Sequence, residues 1–139
     1  MLAPRWAKAA VVYFVIGVGF GLYMSLTRNH QFPGLHAHVN LLGWVSMALI
    51  ASFYRLFPSL EEHKLANINF WLYQIAFPAM MIGLYLAGIG QSEIGGPFVG
   101  LGGIFTGVAV LLFALSVFAS LGDTRPVRRQ HSIPRARTR

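Results

Sequence analysis

The chain has no cysteine and only four acidic residues in 139. The first absence excludes a disulfide framework and any thiolate metal site. Charge of either sign is scarce: 11% of residues are Asp, Glu, Lys or Arg, against 55% hydrophobic. Soluble domains carry about a quarter charged residues, so this sequence cannot dress a surface for water. Disorder fails on the same count, because the apolar content is far too high. The composition is that of an integral membrane protein.

Four stretches contain no Asp, Glu, Lys or Arg: Ala9 to Thr27, Leu35 to Tyr54, Leu65 to Ser92 and Ile94 to Leu121. A bilayer core of roughly 30 Å takes about 20 apolar residues as helix. Continuous apolarity, without the in/out alternation of a barrel strand, selects helix. The expected fold is all-α, an integral membrane four-helix unit over residues 1–122 with helices near 9–27, 35–57, 65–90 and 96–121. A flexible basic tail follows at 123–139. Arg5 and Lys8 precede the first run as they would in a signal peptide. That run is long, holds Tyr13, Phe14, Phe20 and Tyr23, and lacks a small-x-small cleavage site, so it reads as a retained helix.

Basic residues orient the unit. Arg5, Lys8, Arg55, Lys64 and six arginines from Arg125 to Arg139 fall on one side, and Arg28 alone on the other. With an even number of spans, both termini are expected in the cytoplasm, the chain lying in a bacterial inner membrane. The tail is expected to meet anionic lipid headgroups, and no nucleic-acid partner is expected.

The spans contain no carboxylate, which counts against proton-coupled transport and leaves paired-carboxylate hydrolysis without candidates. Nucleophilic triads and phosphate-cradling loops are missing too. Glycines are plentiful, at Gly17, Gly19 and Gly21 and again from Gly95 to Gly107, and let helix backbones approach closely. Pro78 is expected to kink the third span, with Pro58 at a helix end and Pro97 at a helix start. Trp6, Trp44 and Trp71 read as partial interfacial belt residues, and Met80 and Met81 as packing.

Chemistry therefore falls to histidine. Leu35-His36-Ala37-His38-Val39-Asn40 opens the second span. Polar groups there are costly unless something satisfies them, so they define a candidate site. Residues two apart on an α-helix diverge by about 200°, so His36 and His38 cannot chelate one ion from an intact helix. Asn40, four residues on, shares the face of His36. His30 lies in the neighbouring loop and reads as solvated, and His63 and His131 lie at the other side. Imidazole and thioether are the only soft donors in the spans. Imidazole suits haem iron, copper or zinc, and glycine and aromatic side chains between helices suit a haem cleft. Non-covalent haem b is the expected cofactor, held by His36 and His38 with Asn40 beside them, and copper is the lesser alternative. Covalent haem c is excluded by the missing cysteines.

His38-Val39-Asn40-Leu41-Leu42, running on to Tyr54-Arg55-Leu56-Phe57-Pro58, resembles the second transmembrane helix of the haem-copper oxidase large subunit, most closely its nitric-oxide reductase branch. Lys64-Leu65-Ala66-Asn67-Ile68-Asn69-Phe70-Trp71-Leu72 is similar to the start of that subunit's third helix. The likeness covers roughly Leu35 to Gly90. His36-Ala37-His38 is also similar to a haem- and copper-containing membrane family linked to nitric-oxide stress. The resemblance implies that His38 is an axial ligand of a low-spin haem near the outer face. The family's subunit has about twelve helices in three arcs, and this chain has one arc's worth, without the copper histidines. Full oxidase or nitric-oxide reductase activity is therefore not expected of it. In the family a His-x-His pair on one arc ligates two different haems. By that likeness a homotrimer is expected here, with His38 of one copy and His36 of the next holding one haem b. The function expected is electron transfer, with a redox partner, or binding of a diatomic gas. A non-catalytic assembly subunit of a respiratory complex and a copper- or zinc-handling protein are the other readings.

Overall fold

The computed structural model describes residues 1–122, and the basic tail expected at 123–139 lies outside them. The described chain is all-α and has four helices long and apolar enough to cross a membrane. These are α1 (Ala3–Thr27), α2 (Pro33–Leu56), α4 (Lys64–Gly88) and α5 (Ser92–Gly122), with a single-turn helix α3 (Ser59–Glu62) between the middle two. Turns 28–32 and 89–91 share one end of the bundle with the histidines, called here the histidine end. The start of α1, α3 and the start of α4 share the opposite, basic end.

Local chemistry sets the boundaries. Pro33 opens α2, where its missing amide costs nothing. His63 caps α4, its Nδ1 accepting from the Leu65 amide at 3.3 Å. Arg28 closes α1 in the left-handed region at φ 52° and Gly90 follows α4 at φ 86°, which glycine adopts without strain. Two boundaries differ from expectation. Helix α1 begins at Ala3, ahead of residue 9, because Glu61 caps it: Oε1 accepts from the Leu2 and Ala3 amides at 2.8 and 2.9 Å. Pro97 does not start its helix but lies inside α5, near enough to the start that it removes little more than the bond to the Glu93 carbonyl.

Helix α4 is the core of the bundle. Its Tyr73 and Phe77 are fully buried, and Trp6 of α1 meets Phe70 and Tyr73 edge-on at 5.2 and 5.3 Å. Tyr13 meets Phe77 at 5.0 Å in the same way. Trp6 is thus no belt residue; its indole is wholly inside, whereas Trp71 is exposed. Met80 and Met81 pack in the core as expected. The outer faces of α1 and α5 carry Val11, Val12, Val15, Leu111, Leu115 and Phe118 exposed, a surface suited to lipid tails rather than water.

Helices α4 and α5 touch at backbone distance. A Cβ on Gly83 would lie 2.6 Å from the Val99 amide nitrogen, and one on Gly102 2.6 Å from the Met80 nitrogen. Gly96, Gly100 and Gly107, on the same helix as Gly102, have nothing within 4 Å. Only some of the glycines are therefore contact residues.

Helix α2 is not regular. It is π-wound from Val39 to Ser46, between α-helical ends. Two hydroxyls bond carbonyls of this stretch: Ser46 Oγ donates to Leu41 O at 2.8 Å and Tyr73 OH to Leu42 O at 3.1 Å. Tyr73→Phe should destabilise the fold by about 1 kcal/mol, the net worth of one buried hydrogen bond, read as a lower midpoint in thermal unfolding of the micellar protein.

Candidate functional site

The site is built on a pair of glycines. Helix α1 presents Gly17 and Gly21 one turn apart, and antiparallel α2 lays Asn40 and His36, also one turn apart, over them. A Cβ on Gly17 would fall 2.6 Å from Asn40 Oδ1, and one on Gly21 2.7 Å from His36 Cε1. Below them Gly43 of α2 receives the Tyr13 ring in the same manner, 2.8 Å from where its own Cβ would be. Removing side chains from one helix thus makes room for the polar ones of the other.

Asn40 shares the face of His36, as the four-residue spacing predicts. Its amide nitrogen donates to the His36 carbonyl at 2.9 Å and lies 3.3 Å from His36 Nδ1. The carbonyl can only accept, which fixes the amide's orientation and leaves its second hydrogen for Nδ1. The neutral His36 ring therefore carries its own proton on Nε2. Phe20 flanks the ring, with centroids 6.4 Å apart.

His38 is in the opposite state. Its Nδ1 lies 2.7 Å from the Gly34 carbonyl one turn back, so Nδ1 donates and holds the proton. A neutral imidazole so fixed keeps the Nε2 lone pair free, the form in which histidine binds a metal. The ring is half-buried near the histidine end. One helical turn thus holds two histidines in different tautomers, His38 as a lone-pair donor and His36 as a proton donor.

No identity follows from comparison: the chain matches no family model, no curated protein and no solved structure.

The remaining histidines fall where the sequence puts them or beyond view. His30 is exposed, His63 serves as the cap of α4, and His131 lies outside the described residues. Among the described residues no three His, Asp or Glu side chains gather as they would for a metal ion. Sequence reasoning passed over a second polar group at the basic end. Asn69 is fully buried with both amide atoms unpartnered, and the Tyr54 hydroxyl and the Trp6 indole nitrogen are buried and unpartnered as well. An asparagine inside an apolar span was the available signal.

Proposed function

We propose that this chain is a haem b-binding protein of the bacterial cytoplasmic membrane, akin to one arc of the haem-copper oxidase large subunit, serving electron transfer or diatomic gas binding. The observation that carries the reading is the Nδ1–H bond from His38 to the Gly34 carbonyl, which leaves a free imidazole lone pair on an apolar helix without a carboxylate. His38 would hold the iron. Haem bound there supplies reversible one-electron chemistry and, if one axial position stays open, a place for a small gas.

His36 of a neighbouring copy in a homotrimer would be the second imidazole to hold the haem. For that ring to serve, its proton would have to move to Nδ1, a change that the Asn40 amide nitrogen, held toward Nδ1 by its bond to the His36 carbonyl, opposes. Asn40 is thereby a positioning residue for that ligand. Held by two imidazoles, a haem would supply electron transfer; held by His38 alone, it would supply a place for a gas. Both termini lie in the cytoplasm on the strength of the basic-residue count.

The packing of His36 on Gly21 favours a second reading, in which the histidines are structural and the chain is an assembly subunit of a respiratory complex. An ultraviolet–visible spectrum of the detergent-purified protein separates the two. A Soret band is expected, whereas colourless protein rejects haem. Metal analysis showing copper or zinc near stoichiometric and no iron would replace haem with a metal ion. Given haem, a carbon-monoxide difference spectrum divides the outcomes: a shift means an open position, and none means two protein ligands.

A further inference from the structure

At the basic end, three of the four spanning helices each bury one side chain whose polar atoms have no hydrogen-bond partner. Trp6 comes from α1, Tyr54 from α2 and Asn69 from α4; Asn69 and Trp6 are fully buried and Tyr54 is 2% exposed. Asn69 is next to Phe70 and one turn before Tyr73, and the Trp6 ring meets both of those rings edge-on. The Asn69 amide faces the Tyr54 hydroxyl without closing a hydrogen bond to it. Phe113 of α5 covers Tyr54, with ring centroids 6.0 Å apart.

The chemistry of these three side chains is unbalanced as it stands. The amide has two hydrogens and an oxygen, the phenol one hydrogen and an oxygen, and the indole one hydrogen, all unused. Each polar group left bare inside an apolar bundle has given up its bonds to water with nothing in return. The apolar residues of the core around them, Phe70, Phe113 and Ala66 among them, offer no hydrogen-bond partner. A molecule that both donates and accepts, and is small enough to fit between packed helices, relieves all three at once. Water is that molecule, and buried waters make about three such bonds.

We propose that Trp6, Tyr54 and Asn69 form an internal water site that ties α1, α2 and α4 together at the basic end. The Asn69 amide and the Tyr54 hydroxyl hold the water, and the Trp6 indole donates to it. Glu61, within electrostatic reach of Tyr54, caps the start of α1. The proposal stands whether or not the histidine end binds haem.

The test uses the full chain in micelles, labelled with 15N. The Trp6 indole signal, identified by its disappearance in Trp6→Phe, should show a cross-peak to water while staying shielded from a lipid-soluble paramagnetic probe. Asn69→Leu should remove that cross-peak and lower the thermal midpoint, because it strands the phenol and the indole. Tyr54→Phe, the milder change, should weaken the cross-peak with the fold intact, and carries the test if Asn69→Leu does not fold. A missing cross-peak in the unaltered protein overturns the proposal. So does a cross-peak that survives undiminished in the variants, or an Asn69→Leu protein more stable than the original, the sign of a dry, bare amide.

Discussion

Substituting His38 with alanine is expected to abolish the Soret band of the purified protein. The expectation rests on which nitrogen holds the proton. Because Nδ1 is bonded to the Gly34 carbonyl at 2.7 Å, the ring cannot tautomerise without losing that bond, and Nε2 is held ready as a ligand. A ring so oriented needs no rearrangement before it binds a metal. His36→Ala should behave differently in the two functional cases. If His36 of a neighbouring copy completes the iron's coordination, its loss also removes the haem or leaves it able to bind carbon monoxide. If the second position is naturally open, His36→Ala keeps its colour and its carbon-monoxide response unchanged. Full haem retention in both variants, His38→Ala above all, would sink the haem site drawn here.

Gly83→Ala is the second large effect, and it concerns the scaffold. The added methyl would sit 2.6 Å from the Val99 nitrogen and 2.7 Å from the Gly95 carbonyl oxygen, both backbone atoms that no side-chain rotation can move away. Helices α4 and α5 would have to separate, and Gly95 and Gly102 would lose their close approach as well. Overpacking of this kind costs about 3 kcal/mol, a large part of the stability of an ordinary fold. Gly100→Ala is the matched control on α5. Nothing lies within 4 Å of its new methyl, so it should leave the midpoint unchanged or raise it slightly. Comparable losses in both variants would mean that glycine supports this helix for reasons other than close contact.

The sequence carried the four helices, since runs without charge report directly on length and burial in lipid. It also carried the pairing of His36 with Asn40, since a four-residue spacing is geometry that a single helix contains. What it could not carry depends on neighbours. Gly95, Gly96, Gly100, Gly102, Gly103 and Gly107 look alike in a string, and only the rotation of α5 against α4 decides that Gly95 and Gly102 are the contact pair. Trp6 looks like an interfacial tryptophan until Glu61, 55 positions later, draws the start of α1 into the bundle. The tautomers of His36 and His38 follow from Asn40 and the Gly34 carbonyl, atoms whose placement requires the folded turn. The Trp6–Tyr54–Asn69 group joins residues from three helices and has no local pattern at all.

The π winding between Val39 and Ser46 behaves as a spare residue inserted into a membrane-crossing rod. Each residue of an ordinary helix swings the chain by about 100°, so a single insertion re-aims everything downstream. Trimming one amino acid from that stretch would let the backbone run as plain α-helix from end to end, with His36 still over Gly21 and Tyr54 still against Phe113. The same excision in α4, where both flanks are locked to neighbours, would throw one half of the rod out of step with everything it touches.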